Sequence, residues 1–314
     1  MQILPDVFEI ASHFGNRWVK QYLLVGDTVV LLDTGVAATP AEAIFPYLEK
    51  IGVPPSRISL AIALHADSDH HGGFPAIKDA SPGTQLACHR ADRALIEDPE
   101  ALYRDRYNFL AQDHGLGFGR EGLVYCPEGR KMDVVFSGGE TIRLAKDWNL
   151  RVWHVPGHSA GHLAIYDEKN HAAFTSDAVQ SAGYPTIDGK MAFGPTYYTV
   201  DAYLATARFL EDQPIEHMFS GHWPDLHASE VHNFLCSTRD FVFRADELLV
   251  KYLHTRPRGA TLREIIGELS PQLGPWPPEM APFLQFALYG HVARMEQNGT
   301  LRAEHVRPVV YRMA

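Results

Sequence analysis

One junction constrains the fold of this chain more than any other. The run Ile58-Ser-Leu-Ala-Ile-Ala-Leu64 is apolar almost throughout, as a strand buried on both faces requires. It passes without a spacer into His65-Ala-Asp67-Ser-Asp69-His70-His71-Gly72-Gly73, the most polar segment of the sequence. Alternate residues just beyond a strand point the same way, so His65, Asp67 and Asp69 can converge on one side, with His70 beside them at the turn into a helix. The two glycines let the backbone fold tightly beneath. Imidazole nitrogens and carboxylate oxygens are the ligand types of zinc, iron and manganese sites.

Three later segments repeat the pattern. His154-Val-Pro-Gly157-His158-Ser-Ala-Gly161-His162 follows an apolar strand, Phe174-Thr-Ser-Asp177 ends another on a lone aspartate, and Phe219-Ser-Gly221-His222 ends a third on a histidine. Four strand ends that each close on a ligand-type residue predict one site at one edge of a sheet structure.

The rest of the chain supports that frame. Val7–Ala11, Val19–Val25 and Thr28–Asp33 are β-rich runs separated by Gly15-Asn16 and Gly26-Asp27, which are turn signals. Thr39 is expected to cap a helix over Pro40–Ile51. Helix, strand and helix signals follow at residues 74–79, 85–89 and from Asp92, and residues 99–131 are expected to be a partly helical insertion that shapes a substrate pocket. Four short strands are expected over residues 141–176, a second irregular stretch over 181–198, a helix over 202–210 and a last short strand at 218–220. Beyond about residue 225 the pattern is helix, helix and hairpin, which resembles a winged-helix unit. The division predicted is therefore a catalytic domain over 1–225 and a small helical domain over 226–314.

The order and spacing of the four motifs resemble those of the metallo-β-lactamase superfamily, over residues 1 to about 225. The resemblance implies an α/β fold, an αββα sandwich of two sheets with helices outside, followed here by the winged-helix-like region. It also implies a two-metal site. His65, the residue at 67 and His158 would hold one ion, Asp69, His70 and His222 the second, and Asp177 would bridge them. The family mostly has histidine at the place of Asp67. A carboxylate there adds negative charge and favours harder ions, so iron and manganese stand beside zinc, the first expectation. A glutamate at that place is found in the flavodiiron branch, whose flavodoxin-like domain nothing after residue 225 resembles. The other consequence open for Asp67 is a weakened first position and a one-metal enzyme. His162, His71 and Asp33, the last in a D-T-G turn frequent in the family, are expected to support the ligands from behind.

The expected activity is hydrolysis of a small ester, thioester or lactone by metal-activated water, with Asp69 both ligand and hydrogen-bond acceptor for the nucleophile. Tyr184, Tyr197 and Tyr198 are candidates for orienting substrate. The alternatives are nucleic-acid processing, as a ribonuclease, and diiron oxygen chemistry. The net charge of −10 and the balance of ten Lys/Arg with ten Asp/Glu over residues 225–314 argue against nucleic acid as a partner. The tail is read as a lid or a homodimer contact. No apolar run approaches the roughly 18 residues of a membrane span. The start lacks the basic and apolar regions of a signal peptide, and three scattered cysteines suggest reduced thiols, so a cytoplasmic protein is expected.

Overall fold

Strands buried on both faces need a partner layer on each side, and the computed structural model, which describes residues 1–314, supplies both. Seven strands form the first sheet in sequence order: Gln2–Leu4, Val7–Phe14, Arg17–Val25, Val29–Leu32, Ile58–Ile62, Gln85–His89 and Val134–Phe136. The first four pair antiparallel and the last four parallel. Six strands form the second sheet, in the order Leu226–His227, His217–Ser220, Ala172–Ser176, Leu163–Asp167, Trp148–His154 and Thr141–Ala145.

Alternation along each strand separates the layers. Tyr22, Leu24, Val30, Leu32 and Ile62 meet Leu150, Val152, Ile165, Phe174 and Phe219 between the sheets. Leu23, Leu31 and Ala61 turn the other way, onto Ile44, Leu48, Phe74 and Ile77 of the outer helices. On the far side Ala164 and Met218 pack against Ala207 and Leu210 of the helix Val200–Glu211 and Phe234 of the helix Ser229–His254. The result is the expected αββα sandwich, and its central strands read as apolar because neither face meets water.

Ala172–Ser176 and His217–Ser220 run parallel and adjacent, so the residues that follow them, Asp177 and His222, emerge side by side. The hairpin of Trp148–His154 and Leu163–Asp167 carries the 155–162 loop to the same edge, where Leu163 N–H donates to the Leu64 carbonyl at 2.7 Å. The sheets are thus joined by a backbone hydrogen bond one residue before His65.

The C-terminal region has the expected helices and hairpin. Ser229–His254 is followed by Leu262–Leu273 and Gln285–Gln297, and Leu301–Glu304 pairs with Val310–Met313. Thr261 caps the second of these helices in a reciprocal pair with Glu264, satisfying two orphan backbone donors. This region packs into one core with Leu110, Tyr197, Val200 and Tyr203.

One capping expectation is corrected. Thr39 does not cap the helical segment that starts at Pro40; it sits in helical conformation and its hydroxyl accepts from Val36 N–H at 3.1 Å instead. The tight D-T-G turn leaves a closer donor than the helix does.

Phe219 is fully buried between the sheets, and its truncation leaves a cavity that well-packed neighbours cannot close. Phe219→Ala is expected to lower stability by about 3–5 kcal/mol, read as a shifted midpoint in urea denaturation.

Candidate metal centre

The ligand-type residues are assembled by a short helical turn, Ser68–His71, that starts one residue after Asp67. The turn aims His70 back beneath the strand ends. Its Nδ1 lies 2.8 Å from Asp33 Oδ2, so the ring donates through Nδ1 and its Nε2 lone pair faces inward. Asp33 takes a left-handed backbone conformation, φ +58°, and accepts further from Leu64 N–H and Ser176 Oγ, both at 2.8 Å. His222 is set in the same way: Nδ1 donates to the Trp18 carbonyl at 2.6 Å, leaving Nε2 as acceptor.

Two inward lone pairs then confront one another, with His70 Nε2 and His222 Nε2 only 3.3 Å apart. Asp69 Oδ2 lies 3.4 Å and Asp177 Oδ2 3.4 Å from the latter nitrogen. Asp177 Oδ1 is buried with no hydrogen-bond partner. Acceptors packed at this spacing repel unless a cation sits among them. Donors about 2.0–2.1 Å from a tetrahedral ion stand roughly 3.3 Å apart. That is close to the 3.3–3.4 Å around His222 Nε2 and somewhat shorter than the 3.7 and 3.8 Å from His70 Nε2 to Asp69 Oδ2 and Asp177 Oδ1. Asp69, His70, Asp177 and His222 therefore fit a divalent metal.

The other expected set also converges: His65, Asp67 and His158 bring ligand atoms within 4.8 Å of one another, as do His65, His70 and Asp177. Its chemistry differs. Arg106, from the helical stretch Leu102–Tyr107, grips Asp67 with a fork: Nε on Oδ1, and Nη2 on Oδ2 at 2.8 Å. Its Nη1 donates to the His158 carbonyl at 3.2 Å, and Nη2 lies 3.2 Å from His158 Nε2. Burial works against charge on both partners. Even so, Arg106 with the hydrogen bond of His158 holds the Asp67 carboxyl well below the usual range, and Asp67 and Tyr198 hold the guanidinium well above its own. The extra negative charge expected from Asp67 is thus offset by a cation that the sequence reading did not find.

Gln180 sets the tautomer of His158. Its Oε1 accepts from Thr196 N–H at 2.8 Å, which turns its amide nitrogen toward Tyr184 Oη at 2.7 Å and His158 Nδ1 at 2.8 Å. The Thr196 carbonyl is farther from Nδ1, at 3.2 Å, so the closer amide N–H decides: Nδ1 accepts. The ring proton is then on Nε2, which faces Asp67 Oδ2 at 2.8 Å, a hydrogen-bond length.

The supporting residues are placed as follows. His162 is buried and stacks on His65 with centroids 4.6 Å apart, and its Nδ1 bonds the Leu163 carbonyl. His71 is buried; Nε2 bonds the Ala66 carbonyl at 3.2 Å, and burial lowers its pKa to about 4, so it stays neutral under the loop. Asp92, expected from the sequence only as a helix start, fixes the 155–162 loop by accepting from Ser159 Oγ at 2.6 Å and Gly161 N–H at 2.7 Å.

A cavity of about 300 Å³ opens over the cluster. Asp67, Asp69, Asp177 and His222 form its floor, and Tyr107, Phe118 and Tyr125 of the 99–131 insertion line one side. Phe193, Phe283 and Phe286 complete an aromatic wall, the last two from the C-terminal region. Of the three tyrosines singled out, Tyr184 and Tyr198 line the cavity. The Tyr184 hydroxyl donates to Asp177 Oδ2 at 2.7 Å, and burial with the Asp177 charge pushes its pKa well up. The Tyr198 hydroxyl donates to the Arg106 carbonyl, and its ring lies 4.6 Å below the guanidinium. Tyr197 is a correction: it is fully buried, bonded to His291 Nε2 at 2.7 Å in the C-terminal core, because neighbouring residues in an extended stretch face opposite ways.

Fold and cluster together define a metallohydrolase-type site, and the family model described as the metallo-beta-lactamase superfamily matches residues 19–222. The chain belongs to that superfamily. Among curated relatives it is 26% identical over 239 residues to an acyl-coenzyme A thioesterase, MBLAC2, of Gallus gallus, covering 69% of this chain and 77% of that one. An atrochrysone carboxyl ACP thioesterase of Pseudocercospora fijiensis is 21% identical over 277 residues, 85% of this chain and 68% of the relative. A crystal structure of a metallo-beta-lactamase family protein from Thermus thermophilus superposes with a TM-score of 0.78 at 19% identity, over 99% of this chain and all of that one. A beta-lactamase domain protein from Burkholderia ambifaria gives 0.76 at 16%, over 100% and 93%. Both share the fold, including the C-terminal region.

Asp33 orients His70, a candidate ligand, a role whose loss commonly costs about 10–100-fold in metal affinity. Asp33→Ala is expected to weaken zinc binding by that factor, measured by competition with a chromophoric chelator. An unchanged affinity refutes the orienting role.

Proposed function

We propose that this protein is a metal-dependent hydrolase that cleaves acyl thioesters. The observation that carries the reading is the Asp69, His70 and His222 group, with Asp177 3.4 Å from His222, beneath an aromatic cavity that Asp69, Asp177 and His222 line. The thioesterase names of its curated relatives select the bond type. A bound divalent ion lowers the pKa of a coordinated water towards ~7 and polarises a carbonyl oxygen; zinc is the ion first expected from the imidazole and carboxylate donors. The protein's own groups do the rest. Asp69 lies on the cavity floor, where its second oxygen can accept a hydrogen bond from the attacking water and hold it in line. Tyr184 and Gln180 fix the position of Asp177. Phe118, Phe193, Phe283 and Phe286 give the acyl chain an apolar surface and exclude water from the carbonyl.

Arg17 adds a cue to specificity. It lies between the rings of Phe14 and Phe193, 5.0 and 4.8 Å from their centroids, lines the cavity and has a buried Nε without a partner. A guanidinium so placed favours a substrate that carries a carboxylate or phosphate away from the thioester.

A panel of acyl-coenzyme A esters, acyl-pantetheines and oxygen esters, followed by thiol release or acid formation, tests the reading. Metal-dependent thiol release is expected, reduced about 10²–10⁴-fold in Asp69→Asn. Cleavage of oxygen esters or phosphodiesters with no thioester turned over would sink it. Phe286→Ala should raise KM for long acyl chains about tenfold, the effect of roughly 1.4 kcal/mol of lost apolar contact, with little change for an acetyl thioester.

A further inference from the structure

Resting on the reading of this cluster as a metal centre, we propose that the Arg106 guanidinium stands where a second metal would bind. The chain then holds a single divalent cation, at Asp69, His70, Asp177 and His222, with a fixed organic cation beside it.

Three observations carry this. The first is spacing. Acceptors of the Asp69, His70 and His222 group stand 3.3–3.7 Å apart, near the spacing of ligands around one ion. In the other set His65 Nε2 and Asp67 Oδ2 are 3.4 Å apart, but His158 Nε2 and Asp67 Oδ2 are closer, at 2.8 Å, a distance set by a shared proton.

The second is the tautomer. Gln180, its amide oriented by Thr196 N–H, donates to His158 Nδ1, which leaves the ring proton on Nε2. That proton is held by Asp67 Oδ2 at 2.8 Å, so Nε2 offers a metal no lone pair while the carboxylate is in place. His70 and His222 have the opposite arrangement, each donating from Nδ1 to an oxygen and presenting a bare Nε2.

The third is charge. Asp67 is already matched by the Arg106 fork, and the guanidinium is pinned by the His158 carbonyl at 3.2 Å and by the Tyr198 ring. A dication placed among His65, Asp67 and His158 would displace both the Nε2 proton and this fork, or else sit against a buried like charge. His65 Nε2, buried without a partner, belongs equally to the His65, His70 and Asp177 group and so remains open to the single cation.

Arg106 lines the cavity, so its place beside the metal gives it a chemical use. A permanently charged planar donor can hydrogen-bond the substrate oxygen that a second metal would otherwise face, and unlike a metal it is not removed by chelators.

The test counts metal without using activity. Full-length protein is loaded with excess zinc, desalted and analysed for zinc per chain. One equivalent is expected in the parent, one in His158→Ala, none in Asp177→Asn, and two in the Asp67→His/Arg106→Ala double variant, which restores an imidazole and removes the guanidinium. Two retained equivalents in the parent, or a loss of metal in His158→Ala, overturn the proposal. A folded double variant that stays at one equivalent overturns Arg106 as the occupant. Should the double variant not fold, titration of parent and His158→Ala with cobalt, read by its visible absorption, decides alone: a single break at one equivalent in both supports it, and a second break in the parent refutes it. Failure of every thioester to be hydrolysed leaves these counts as they are, so the two readings fail separately.

Discussion

A buried carboxylate is tolerated only when hydrogen bonds replace its lost water, and Asp33 makes those bonds to three different parts of the fold. Leu64 N–H belongs to the end of a strand in the first sheet, Ser176 Oγ to the end of a strand in the second, and His70 Nδ1 to the turn between ligands. Both strand ends and the ligand turn are therefore fixed to one oxygen pair. Asp33 reaches them because its own backbone adopts a left-handed conformation, which aspartate tolerates better than most residues. The site's geometry is a consequence of satisfying this one buried charge.

The second buried charge, on Asp67, is satisfied differently. Its partner comes from the 99–131 insertion, far from the strand ends, and is held there by Tyr198 from the 181–198 stretch. The two irregular segments are thus tied to each other and to the metal-binding edge through a single guanidinium. The segments that shape the cavity are the same ones that set the charge of its floor.

Much of this was legible in the sequence, for physical reasons. His65, Asp69, His70, His158, Asp177 and His222 follow buried strands directly, and the two-residue period of a strand with a tight turn after it leaves few directions for them to point. The sandwich was readable from the apolar runs for the same reason. Arg106 was not: it lies in a stretch whose short helical turns follow no clear period, and its partner is 39 residues away. Gln180 and Asp92 escaped because a hydrogen bond to a histidine or a loop N–H leaves no pattern along the chain. Tyr197 was misplaced because which neighbour of an adjacent tyrosine pair faces inward depends on packing against His291, from a helix the sequence cannot orient. The aromatic wall had the same origin, since Phe283 and Phe286 come from the C-terminal region and meet the site only in three dimensions.

The bond from His222 Nδ1 to the Trp18 carbonyl spans 204 residues, and it has a bearing on the chain's birth. During synthesis the N-terminal strands leave the ribosome first, yet they lack the imidazole that they will orient. Until residue 222 has emerged and the second sheet has closed upon the first, the ligand set is missing a member. Capture of a metal at the proposed site would therefore be a late event, and because binding energy at such a site is also folding energy, the ion would stabilise finished molecules over truncated ones.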